Sequence, residues 1–165
     1  MSLIGILGRG FGATQAPPSP PPATDALLLQ VADAVTYAIN TGVYSQTFTA
    51  VRYYQPRFEL VDMDTLHVSV IPRSIAEKPA TRALTAYDCT IDIGIQQRSA
   101  MDQATLDALT GLVAEIADRL RTVSLPTMPD ARLVALNNEP VFAPDHLDEL
   151  RQFTSVLSAT YRVWR

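Results

Sequence analysis

Histidine, cysteine and closely spaced carboxylates are the side chains that most often carry out chemistry, and this sequence holds few of them. Its two histidines are His67 and His146, and its one cysteine is Cys89. Zinc asks for four Cys, His or carboxylate ligands, or three plus water, and neither histidine stands at ligand spacing from the other or from Cys89. Cys89 alternates in phase with Ile91, Ile93 and Ile95. Apolar surroundings raise a thiol pKa and suppress its reactivity, so Cys89 is expected to be a small core side chain. His67 falls in the opposite phase to Val68 and is expected on an exposed or interfacial face. Asp88 and Asp92 share the polar phase of one strand, ~13 Å apart at strand rise, too wide for a glycosidase pair. Asp62 and Asp64 fall in a loop between strands and read as scattered surface carboxylates. Residues 8–12, Gly8-Arg9-Gly10-Phe11-Gly12, follow a strand-like apolar run. A dinucleotide-binding turn needs a third glycine one position later and a helix after it, and here a proline run follows instead. No Gly-x-Ser-x-Gly elbow or phosphate loop is present. The expectation is a protein without metal, cofactor or catalytic machinery.

Residue types that favour contact are better represented. Arg73, Lys78 and Arg82 fall in a stretch, 72–82, that reads as a loop, while Arg162, Trp164 and Arg165 close the chain. Arginine and exposed tryptophan are enriched at interfaces. Tyr53 and Tyr54, before Pro56, suit either a core or a contact.

The elements that must position these groups follow from composition and period. The chain has 165 residues, 47% apolar and 18% charged, which suits one globular domain with a little left over. A net charge of -4, from 13 basic and 17 acidic residues, argues against a general nucleic-acid binder. One cysteine permits no intrachain disulfide, and no apolar run reaches the ~20 residues that span a bilayer. With no basic stretch before the apolar start, a secretory signal is not expected, and the protein is expected to be made in the cytosol.

Residues 1–23 combine Gly5, Gly8, Gly10 and Gly12 with Pro17, Pro18, Pro20, Pro21 and Pro22. Such a segment builds no core by itself and is expected to be a flexible arm, with Leu3, Ile4, Ile6, Leu7 and Phe11 available to dock on a neighbour. From Thr24 the pattern turns helical, with Thr24 or Asp25 as cap, Leu28, Val31, Val35, Ala38 and Ile39 as the apolar stripe, and Gly42 as the stop. Strands are expected over 48–54, over 66–70 ending at Pro72, and over 88–96. The strongest helical pattern runs from Asp102, as cap, to Thr122. Its stripe is Leu106, Leu109, Leu112, Val113, Ile116, Ala117 and Leu120. A short strand over 132–136, a turn at Asn137-Asn138, a helical turn over 144–150 and a long strand over 153–163 complete the chain. This order predicts an α+β domain over 24–165, an antiparallel or mixed sheet with two main helices on one face.

Several local phrases add to this order: Arg52-Tyr-Tyr-Gln-Pro56, Asp62 followed by Leu66-His-Val-Ser-Val-Ile-Pro72, Arg82, Tyr87-Asp-Cys-Thr-Ile-Asp-Ile-Gly-Ile95, and the closing Tyr161-Arg-Val-Trp-Arg165. Over 24–165 the layout resembles the small tail-completion proteins of tailed phages, in particular the tail terminator (minor tail protein U-like) group. The resemblance implies a structural virion subunit in a homohexameric ring that caps the tail tube, halts its polymerisation and meets the head-tail connector or neck proteins. DNA would then pass through the lumen without sequence-specific binding, and no membrane is involved. The arm at 1–23 departs from the shortest members of the group. A head-side neck or head-closure adaptor is the alternative of the same class. A small-molecule-binding α+β domain is the alternative of another.

Overall fold

A computed structural model describes residues 26–55, 64–98, 102–139 and 141–165. The expected arm, with Leu3, Ile4, Ile6, Leu7 and Phe11, lies outside the described residues, as do Thr24, Asp25, Pro56 and Asp62. The elements are α1 (Leu27–Asn40), β1 (Ala50–Arg52), β2 (His67–Pro79), β3 (Thr85–Arg98), α2 (Gln103–Thr122), β4 (Arg132–Asn138), α3 (Pro144–Leu150) and β5 (Gln152–Trp164). The five strands form one sheet in the order β1-β2-β3-β5-β4. β1 pairs parallel to β2, and the other neighbours pair antiparallel. The fold is therefore α+β with a mixed sheet, as the pattern of elements predicts.

Strand period dictates where the core sits. Successive side chains on a strand point to opposite faces, so the in-phase set Cys89, Ile91, Ile93 and Ile95 faces one way and is fully buried. Leu157, Ala159 and Tyr161 of β5 lie beside them in register and are buried on the same face. α1 packs over β1, β2 and β3, and α2 over β5 and β4, so the two helices share the cover. Each fully buried Leu or Ile contributes ~1.5–3 kcal/mol relative to exposure, which makes this layer the main source of stability. The helices also lock each other. Arg119 of α2 donates from Nε to the Ala38 carbonyl and from a terminal nitrogen to Thr41 Oγ1, both at 3.3 Å. Its charge sits where the carbonyls ending α1 lack helical partners and carry the negative end of the helix dipole. From the same helix, Glu115 Oε2 accepts the Ser45 N–H at 2.8 Å.

Local signals decide the helix starts unequally. Asp102 caps α2 by accepting the Thr105 N–H at 2.9 Å, which also draws its carboxyl below the ordinary value. The start of α1 departs from expectation: its flanking residue is Ala26, with no side-chain cap. Burial of Val31, Ala32, Ala34, Val35, Ala38 and Ile39 stabilises this helix in place of a cap.

Two boundaries are corrected, and Gly42, which follows the end of α1 as expected, acts by a different means. Pro72 does not end β2, and 72–82 is not simply a loop: the strand continues to Pro79 and forms a long hairpin with β3. Proline is tolerated there because, among the described residues, β1 pairs β2 only as far as Val70, leaving an edge. A register shift between Pro72 and Ser74 takes up the irregularity. Asn137 and Asn138 make no turn, because both pair with β5, opposite Ser158 and Leu157. Gly42 follows α1, but not as a left-handed cap, since no glycine has positive φ among the described residues. Glycine is needed there for space. The Tyr44 ring folds back over it, with its hydroxyl donating to the Ile39 carbonyl at 3.0 Å. A Cβ at position 42 would lie 2.4 Å from that hydroxyl oxygen.

Gly42→Ala is therefore expected to cost about 1–3 kcal/mol, the range for overpacking. In a Tyr44→Ala background the same change should cost almost nothing, and urea denaturation of the two single variants and the double variant measures the difference.

Candidate functional site

The second face of the sheet carries the polar phase of the strands, and on it the structure collects several of the arginines and carboxylates singled out in the sequence. Register does the collecting. β3 and β5 pair with Asp88 opposite Arg162. The shift between Pro72 and Ser74 changes the phase of β2, which brings Lys78 to the same side as Asp88. Arg162 then donates to both carboxylate oxygens, from Nε at 2.6 Å and from a terminal nitrogen at 2.9 Å, and Lys78 Nζ donates at 2.8 Å. The fork-shaped guanidinium pairing with both oxygens is the strongest geometry available to such a pair.

Asp88 is only 7% exposed although no helix of the core layer covers it. Its shielding comes from its own partners, whose side chains remain 32% and 60% exposed. The hydrogen bonds from Arg162, and then those from Lys78, hold the Asp88 carboxyl well below the ordinary carboxylate range. The same contact raises the Arg162 pKa. Arg132 of β4 stands opposite Arg162 in register, so the pairing with Asp88 also turns one of two facing like charges away.

The other outward positions of β3 are paired more loosely. Asp92 meets Arg73 at 3.4 Å, and Thr90 hydrogen-bonds Thr160 across to β5 at 3.2 Å. Such exposed pairs contribute little to stability. Arg82 lies exposed in the turn that joins β2 to β3. Trp164 is 44% exposed and borders a shallow depression with Asp130 and Arg132. Arg165 takes a different direction: its guanidinium reaches Gln30 of α1 at 3.0 Å, and its backbone pairs with Thr85. The structure thus unites Arg73, Lys78 and Arg162 on one face, places Arg82 at the hairpin tip, and separates Arg165 from them.

The residues weighed for chemistry are accounted for one by one. Cys89 is fully buried, and burial pushes its thiol up to about 11, as its phase with the isoleucines predicts. His146 Nδ1 lies 3.2 Å from Thr154 Oγ1, and His67 Nε2 lies 3.2 Å from Thr65 Oγ1. Asp64 approaches Arg98 at 3.6 Å. Tyr53 is half-buried and donates its N–H to Val70, whereas Tyr54 is exposed with the Arg52 guanidinium 5.6 Å from its ring centre. Among the described residues no three His, Cys, Asp or Glu side chains cluster closely enough to hold a metal.

The Asp88 network is what reading the sequence missed. Asp88 and Arg162 each stand in the polar phase of a strand. That phase is the only local signal, and the register that joins them is set by the mid-chain strand β3 pairing with the C-terminal strand β5. No known protein family matches the chain, and no curated protein matches it in sequence.

The pairing predicts a pH dependence. The folded-state pKa of Asp88 lies below its ordinary value of 3.8, so its stabilisation is complete at neutral pH and is lost as pH falls below about 4. Asp88→Asn should lower stability by about 1.5–3 kcal/mol at pH 7, the range for hydrogen bonds to charged groups. The gap from wild type should narrow steadily as pH falls from about 4 toward 2, as urea denaturation curves across pH would register. A gap that stays constant with pH would contradict the assignment.

Proposed function

We propose that this protein is a structural subunit of a tailed phage, acting in a ring at the head-proximal end of the tail. There it ends tube polymerisation and joins the tail to the connector. The observation that carries the reading is the element order α1-β1-β2-β3-α2-β4-α3-β5, the layout on which the resemblance to tail terminators rests. Two physical features support it further. Both main helices lie on one face, which leaves a second face rich in arginine, threonine and serine, with Trp164 at its end, as an available contact surface. The β2–β3 hairpin runs past the end of β1, so that residues 73–84 form an exposed, partly apolar rim carrying Ile75, Leu84 and Arg82.

In this reading the mechanism is geometric. Each subunit presents one surface to the next around the ring, and closure consumes a head-to-tail interface. The hairpin and the second face meet the tube below or the connector above, and DNA passes through the lumen without being read. The net charge of -4 suits such a passage, because a basic lumen would retain DNA through counterion release.

Particles assembled without the protein should carry overlong tails by electron microscopy. Tails of normal length attached to leaking heads would instead assign it to the head side of the neck. Reversing charge at Arg73 and Arg82 should weaken tail joining while leaving the melting temperature nearly unchanged, because both side chains are exposed. Wild-type joining in that double variant would remove the hairpin from the contact.

A further inference from the structure

Along the flank of α2 that faces away from α1, the apolar layer is left incompletely covered. Two adjoining depressions, about 270 and 300 Å³, share Thr110 at their junction. Val113, Ala117 and Leu136 line the first, and Leu106, Phe142 and Leu147 the second. Val141 and Phe142, at the lip, are each 42% exposed, which is a high exposure for large apolar side chains standing together. The end of β4, Leu136 to Asn138, borders the first depression, and β4 pairs on one side only, with β5, so among the described residues its other edge keeps free backbone donors and acceptors.

We propose that residues 3–11 of a neighbouring copy of this chain lie in this trough alongside β4. Three matches identify the occupant. The first is length: the α2 residues lining the trough, 103 to 121, span ~27 Å of helix, and nine residues laid out as a strand span ~30 Å. The second is composition. Leu3, Ile4, Ile6, Leu7 and Phe11 supply the apolar side chains the trough lacks, and the intervening glycines let backbone approach backbone closely. The third is charge. Residues 1–24 carry a single charged side chain, Arg9, and no acid, whereas Asp107 in the trough and Asp145, Asp148 and Glu149 on α3 are exposed acids at one end of it. This sets the direction, with Arg9 and Phe11 at the α3 end and Leu3 beside Ala117.

The copy that donates the segment follows from the ring reading, on which this inference rests. One donor segment and one acceptor trough per copy make a head-to-tail contact, the kind that closes into rings. The 14 residues from 12 to 25 reach at most roughly 45–50 Å, enough to cross to an adjacent subunit.

A pair of cysteines in the full-length chain tests the assignment: Ile6→Cys with Val141→Cys, against Ile6→Cys with Val51→Cys on β1 at the other edge. Cys89 is buried and does not compete. Mild oxidation of the first pair should shift most of the protein from monomer into a reducible ladder of linked oligomers, while the second pair stays monomeric on the same gel. Linkage within one chain, seen by peptide mass mapping, would overturn the neighbouring copy as donor. Equal or absent linkage in the two pairs would overturn the trough itself. Failure of the ring reading shows separately, as normal tail lengths in particles lacking the protein.

Discussion

The structure depends on one apolar plane, the face of β3 formed by Cys89, Ile91, Ile93 and Ile95. Each of these side chains is removed from water, and all four belong to one core cluster with side chains of the neighbouring strands and of α1 and α2. β3 is central in the sheet, so β2 and β5 must align their own apolar phases with it, and α1 and α2 must divide the cover between them. A one-residue slip of β3 would expose all four side chains and bury Asp88 and Asp92 in their place. That penalty fixes the register of the whole sheet.

Fixing the register determines the opposite face as well. Once Cys89 points inward, Asp88 points outward, opposite Arg162, and the phase change in β2 brings Lys78 to it. The ionic network is thus a consequence of the core rather than an independent feature. A carboxylate shielded by two cations still costs desolvation, and it is stable here because two guanidinium hydrogen bonds and one ammonium offset that cost. Covering Asp88 with exposed, long side chains, rather than with core, leaves a polar surface that a partner can meet without stranding a charge.

The edges of the sheet are treated differently. On one side β1 is short and, among the described residues, the outer part of β2 is unpaired on that side, but Pro72, the register shift and Lys78 make this edge a poor template for another strand. On the other side β4 spans seven residues and borders an apolar trough. The proposed head-to-tail ring would draw on this asymmetry, with one edge blunted and the other left open.

The sequence by itself determined the α+β class, α2 with its Asp102 cap, the buried phase of β3 and the long closing strand. Each of these rests on a local period or cap that burial of one face rewards. It misplaced Pro72 and Asn137-Asn138, because proline and asparagine preferences describe isolated turns, whereas an edge position and pairing with β5 overrode them. Only the tertiary structure decided which polar residues meet. Asp88 and Arg162 are separated by 74 positions, and their contact follows from strand register and from the folding of distant segments onto one core, neither of which has a signature within a few residues.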